Sequence, residues 1–177
     1  MDVQAVLDRL DRLTPRRPFT LVGIGGRGGA GKTTLARLLP ADAVIGTDEF
    51  WDGSSFDLGR LGREVIEPLT AGRAAAFRSF DWVAQAPRRE PRRVAPVGLI
   101  VIEGVCALHR MFREAYDLRV WIEASYEIRL ARAVARDGAA ARRTWTDVWM
   151  PMEDAYVERD DPGSAADVVL DGGGDLA

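Results

Sequence analysis

Lysine is all but missing from this chain of 177 residues: of its 24 basic side chains, every one except Lys32 is an arginine. Cysteine and histidine are as scarce, with Cys106 and His109 the only examples. A single cysteine excludes an internal disulfide and agrees with a reducing compartment. A single histidine directs the search for a general base toward carboxylates. Long apolar runs are absent too. The strongest, Val97 to Ile102, stops at Glu103, far short of the ~20 residues that a membrane span needs. Met1 to Leu13 carries charges on a helical pattern and has no signal-peptide core, so a cytoplasmic protein is expected, without a membrane partner. The net charge of −3 gives no general reason to expect nucleic acid as a partner. What remains is an ordinary globular composition, 47% hydrophobic and 29% charged, at a length suited to one domain, 1–177.

Periodicity divides the chain into alternating elements. Val3, Val6, Leu7, Leu10 and Leu13 predict an amphipathic helix over 2–13, ended by Pro15. Phe19 to Gly25 reads as a strand opening into glycines, and Lys32 to Leu39 as the helix that follows. Ala43 to Thr47 is a second short strand, ending at Asp48. Leu58 to Leu69 predicts a helix, and Phe77 to Trp82 an edge strand. Pro87 to Pro96, with four arginines and three prolines, reads as a surface loop, because proline cannot donate to a central ladder. Val97 to Ile102 has the continuous apolar character of a strand buried on both faces. Leu118 to Ile122 and Ala166 to Leu170 complete the strands. Ser125 caps a helix running to about Asp137, another helix begins near Pro151, and a loose tail is expected from Gly172. Strands alternating with helices imply an α/β fold with a mainly parallel sheet.

The chemistry is concentrated in Gly26-Arg27-Gly28-Gly29-Ala30-Gly31-Lys32-Thr33, which fits the phosphate-loop pattern and is followed by Thr34. Gly26, Gly28, Gly29, Ala30 and Gly31 let backbone N–H groups curl around phosphate oxygens, and the helix starting at Lys32 turns its positive end toward them. The Lys32 ammonium reaches the β and γ phosphates as a compact charge, and the Thr33 hydroxyl is placed to ligate Mg²⁺. Arginine is too long and planar for that cradle, which accounts for the one lysine standing here. Asp48 and Glu103 both end strands, and ligands of open parallel sheets gather at strand carboxyl ends. Both acids are therefore candidates for the metal and the reacting groups. Arg129, Arg132 and Arg136 share a helix face, with Arg142 and Arg143 beyond, as candidates to close over phosphates.

With those residues in hand, the chain resembles the uridine–cytidine kinase family of phosphate-loop kinases, relatives of phosphoribulokinase, pantothenate kinase and nicotinamide riboside kinase. The resemblance spans roughly 19–171. It rests on Gly26 to Thr34, Asp48-Glu49-Phe50-Trp51, Phe80-Asp81-Trp82, Glu103-Gly104-Val105, the run from Arg129 through Arg132 to Arg136-Asp137, and Ala166 to Val169. It implies a phosphate-loop NTPase fold, a three-layer sandwich with a five-stranded parallel sheet and a helical lid at about 132–148. It implies that Asp48 takes the acceptor hydroxyl's proton, that Thr33 and Glu103 serve Mg²⁺, and that Arg132, Arg136 and Arg142 handle phosphates or acceptor. ATP and Mg²⁺ are the implied cofactors and a nucleoside the implied acceptor. Departures fall in the acceptor half: Gln85 stands near the family's histidine, Ser54 or Ser55 replaces its ribose-binding acid, and Thr144 its lid glutamine. Phe50, Trp51, Asp81, Trp82, Gln85 and Trp149 are the candidate acceptor residues, with Phe80 and Trp145 as further aromatic walls. Nicotinamide riboside, pantothenate or a sugar-like alcohol are alternative acceptors, and a regulatory ATPase or a nucleic-acid binder using Arg88, Arg89, Arg92 and Arg93 are readings of other classes.

Overall fold

A computed structural model describes residues 1–174. Five strands form one parallel sheet in the order β2-β7-β1-β8-β9. These are β1 (Phe19–Gly26), β2 (Ala43–Gly46), β7 (Gly98–Glu103), β8 (Leu118–Glu123) and β9 (Val168–Asp171). The fully apolar stretches do what their patterning predicts: Leu21, Val22, Ile24, Ile100, Val101, Ile102, Val120 and Ile122 are all wholly buried. Such strands need cover on both faces. Helices α1 (Val3–Asp11) and α2 (Lys32–Leu38) accompany one core layer, built on Val22, Val101 and Val120. Leu21, Ile100, Trp121 and Phe112 build the other. The five-stranded three-layer α/β architecture implied by the resemblance is the one observed.

On that second face lies α3, a continuous helix over 58–70 made of Leu58–Leu61, a π-helical turn Gly62–Ile66 and Glu67–Thr70. Asp57 caps it, accepting the Arg60 N–H at 2.8 Å. Beyond the sheet, α4 (Tyr126–Asp137) is capped by Ser125 and ends at Gly138, whose φ of 89° a side chain would resist. The next helix, α5, starts earlier than expected. Pro151 is not its beginning: the helix runs over 142–160, through Arg142–Thr144, a π turn Trp145–Trp149, and Met150–Asp160. Near the start of its last segment Pro151 takes the place of only one intrahelical donor.

Three other expectations are corrected. Phe77 to Trp82 is not an edge of the main sheet. Its two halves enter separate small antiparallel pairs, β3 (Ala75–Phe77) with β6 (Arg92–Val94) and β4 (Phe80–Asp81) with β5 (Ala86–Pro87). Those partners come from the proline-rich segment, so Pro87 to Pro96 is not simply a surface loop: Val94 is buried, and prolines sit where no central ladder needs their N–H. Of its arginines, Arg92 pairs with Glu49 at 2.8 Å and Arg88 with Asp81 at 3.1 Å. As far as Gly174 the end of the chain is not loose either. Gly172 N–H donates to Glu123 O at 2.7 Å, and Arg132 donates to the carbonyls of Gly172 and Gly174 at 2.7 and 3.0 Å. Among the described residues no helix is long and apolar enough to cross a membrane.

Candidate active site

Strand register alone brings the acids to the loop. β7 lies between β1 and β2, with Glu103 opposite Ile24 on one side and Gly46 on the other. Glu103 therefore ends level with the strand that feeds the phosphate loop, and Asp48 stands two residues beyond Gly46. The order of the strands reverses around β1, where crossover connections leave a crevice above the sheet. One cavity of about 1210 Å³ occupies that crevice, lined by Gly28, Gly29, Gly31, Lys32, Thr33, Thr34, Asp48 and Glu103 on the loop side. Its size exceeds that of most single-ligand pockets.

The loop's backbone explains its glycines. Gly29 and Gly31 have φ of 78° and 109°, where a side chain is strained. Gly28 is required for another reason: a Cβ there would lie 2.6 Å from both Glu153 Oε1 and Trp145. Lys32 is buried and donates to the Arg27 carbonyl at 3.0 Å. Burial holds its pKa below the ordinary lysine value, against the opposing pull of Glu103 and Glu153. Thr33 donates its hydroxyl to Glu103 Oε1 at 2.8 Å, which joins the two proposed Mg²⁺ ligands directly. Burial raises the Glu103 carboxyl, with Lys32 and Thr33 opposing. Asp48 is raised too, first by burial and then by Glu49.

Glu49 itself is occupied in holding the turn. Its carboxylate accepts from Gly46 N–H at 2.9 Å and from Arg92 at 2.8 Å, and it also receives the Ser79 hydroxyl. With Glu49 so engaged, Asp48 is the acid of the turn Thr47–Phe50 that lines the cavity. The neighbouring Gly104, at φ 148°, leaves no room for a Cβ against Thr47. Gly104→Ala is expected to cost about 1–3 kcal/mol through backbone strain alone. A urea midpoint that does not move would refute this account of the turn.

The candidate arginines separate. Arg129 is buried and pairs with Glu153 at 3.3 Å instead of sharing an open face with Arg132 and Arg136. Besides the chain end, Arg132 donates to Gly29 O at 3.3 Å, so its guanidinium is taken up by carbonyls around the loop. Arg136 lines the cavity, holds Asp137 through two nitrogens, and lies over Trp145. Arg142 and Arg143 do not line the cavity.

The acceptor candidates divide in the same way. Trp51, Trp82 and Trp149 line the cavity as one cluster, with ring centroids 5.7 Å (Trp51 to Trp82) and 5.5 Å (Trp51 to Trp149) apart. Trp145, Ser55 and Phe56 join that wall. Phe50 is instead fully buried against Phe77, as an aromatic fitted to the core. Asp81 turns to the Val83 and Ala84 amides, and Gln85 donates to Trp82 O at 2.6 Å, so neither lines the cavity. Ser54 and Ser55 donate to Asp52, which their hydrogen bonds hold ionised down to about 2.

Glu153 also lines the cavity, and the sequence offers one signal for it: an acid at helical spacing from Trp145, Trp149, Met150 and Tyr156, an unusual place for a carboxylate. Among the described residues no three His, Cys, Asp or Glu side chains are grouped to hold a metal. A cation at Thr33 and Glu103 would therefore depend on other oxygens, as Mg²⁺ does when it shares phosphates.

Comparison with known proteins extends these observations. The model of the family described as "Phosphoribulokinase / Uridine kinase family" matches residues 41–171. The matched span begins after the phosphate loop, so it is independent of the loop motif. The chain is 30% identical over 164 residues to uridine-cytidine kinase C of Dictyostelium discoideum, covering 79% of this chain and 36% of that protein. It is 23% identical over 186 residues to uridine kinase of Staphylococcus haemolyticus, covering 88% of each. The solved structure of a possible uridine kinase from Bacillus stearothermophilus matches with a TM-score of 0.71 at 19% identity, over 96% of this chain and 97% of that one. The likeness to that structure is one of fold.

Proposed function

The chain belongs to the phosphoribulokinase / uridine kinase family and is a kinase, and on that premise we propose that it moves the γ-phosphoryl group of ATP to a hydroxyl of a small metabolite. The observation that carries this reading is the single cavity in which Lys32, Asp48 and Glu103 face an aromatic wall of Trp51, Trp82 and Trp149. A switch that only binds nucleotide has no need of a second, aromatic compartment beside the phosphate loop. Its relatives' names make a nucleoside the first acceptor to test.

Phosphoryl transfer asks mainly for positioning and charge stabilisation. The loop amides and the Lys32 ammonium hold the phosphate chain, and burial strengthens each of those interactions. Asp48 accepts the proton of the acceptor hydroxyl. Arg136 turns from Asp137 to the phosphates, while Arg132 holds Gly29 in place. The oxygen donors Thr33 Oγ1 and Glu103 Oε1, already in contact, suit Mg²⁺, with Asp48 as a further oxygen on the same side. When bound there, Mg²⁺ supplies charge neutralisation to the phosphates. The aromatic wall excludes water and stacks against the acceptor.

A panel of alcohols scored by coupled ADP release tests the reading. Nucleosides, nicotinamide riboside, pantothenate and sugar alcohols belong in it. The expected result is ADP release that rises only with the right acceptor, at a turnover on the order of 1–100 per second. Slow hydrolysis indifferent to every acceptor would instead favour a regulatory ATPase.

A further inference from the structure

Three carboxylates act on the Lys32 ammonium: Glu103, Glu153 and Asp48. Two of them belong to the proposed cation site, whose charge would offset theirs. Glu153 does not. It comes from α5, on the far side of the loop, and both it and Arg129 are more than nine-tenths buried. Its Oε1 accepts the Gly28 N–H at 2.9 Å and its Oε2 faces the Arg129 guanidinium at 3.3 Å. Arg27, the loop residue between, is held by the next acid of the same helix, Asp154, at 2.7 Å, and by Glu123 at 3.5 Å. A carboxylate thus sits on a phosphate-loop amide, where its anionic oxygens do what a phosphate oxygen does elsewhere in such loops.

That arrangement cannot stay unchanged when a triphosphate enters. The incoming oxygens carry the same sign as Glu153, they approach the same lysine, and burial leaves little water to screen the repulsion. Arg129, by contrast, has the sign and the planar fork suited to phosphate. Its Nε is anchored on the Ala124 carbonyl at 3.2 Å, so the guanidinium stays beside the loop whether or not Glu153 does. Trp145, whose ring would touch a Cβ on Gly28, lies on the same helix as Glu153 and would move with it.

We propose that Glu153 is a positioning residue for phosphoryl transfer: its carboxylate holds the Gly28 amide and Arg129 ready, and is displaced by the nucleotide's phosphates, which take Arg129 over. The inference rests on the reading that the loop binds a nucleoside triphosphate. It has a consequence for affinity. A contact that must break for binding lowers the affinity, so removing it raises it. Glu153→Gln should tighten ATP binding at least about fivefold, measured by calorimetry. Glu153→Asp keeps a charge near Arg129, which protects folding, but is too short to reach Gly28, and it should also bind ATP more tightly than the unaltered chain. In an Arg129→Met background the gain from Glu153→Gln should shrink, because only the relief of charge repulsion and the freed Gly28 amide remain. A purely structural role predicts that affinity falls along with stability. ATP binding equal to or weaker than that of the unaltered chain in Glu153→Gln, or in Glu153→Asp should the first not fold, overturns the proposal. Binding by the unaltered chain tests the nucleotide reading separately: if it fails, that reading falls and this inference with it.

Discussion

Lys32→Ala is expected to abolish phosphoryl transfer, with kcat/KM falling at least about a hundredfold, the scale seen when one preorganised charge or donor is removed from a water-poor site. The chain offers no substitute. Every other basic side chain except the single histidine is an arginine, and Arg132, whose guanidinium reaches the Gly29 carbonyl, already serves backbone carbonyls. Lys32→Arg keeps the charge and should fail almost as fully, because a long planar fork cannot occupy the space in which Lys32 now reaches the Arg27 carbonyl. Lys32→Ala should not unfold the protein. Burial already works against the charged lysine, as its lowered pKa shows, so its removal sacrifices little stability. Steady-state ADP release together with circular dichroism checks both statements. Activity of Lys32→Ala above a few per cent of the original would rule out the phosphate-loop assignment.

Asp48→Asn should remove turnover while sparing the affinity for ATP. Loss of a positioned general base lowers rates by about 10²–10⁴, and Asn cannot take the proton of the acceptor hydroxyl. Its shape is nearly the same, so the turn held by Glu49, Ser79 and Arg92 should survive. Stability should even gain. Asp48 has a pKa raised by burial and by Glu49. A carboxyl raised in the folded state binds its proton more tightly there than in the unfolded chain, so its ionised form at neutral pH works against folding. Asparagine removes that charge. The expected pair of results is a kcat lower by about a hundredfold or more and a melting temperature equal to or above the original. An unchanged kcat would assign the base to another group.

How much of this was legible in the sequence varies with the range of the interaction. The five central strands and the helices at 3–11, 32–38 and 126–137 follow from apolar runs, periodicity and caps, all of which act over a few residues. The small β3–β6 and β4–β5 pairs were not legible, because their partners are separated by a turn-rich stretch and have only two or three residues each. The early start of α5 was hidden by Pro151, which reads as a first-turn residue yet is tolerated within a longer helix. Among the candidate acceptor residues, Trp51, Trp82 and Trp149 line the cavity while Phe50 fills the core. Spacing cannot separate those outcomes, since an aromatic ring satisfies either place equally well.

The sequence by itself determined the parts that a local backbone must supply: a glycine loop between strand and helix, one lysine where only a narrow ammonium fits, and acids at two strand ends. These are written within stretches of eight residues or fewer, because phosphate binding by a loop is a property of consecutive amides. Only the tertiary structure decided which charges meet. Strand register set Glu103 beside Thr33, helix packing buried Arg129 against Glu153, and Glu153 came to rest on Gly28 from 125 residues away along the chain. The energy of an ionic pair depends on separation and on burial, and neither is encoded until distant segments pack.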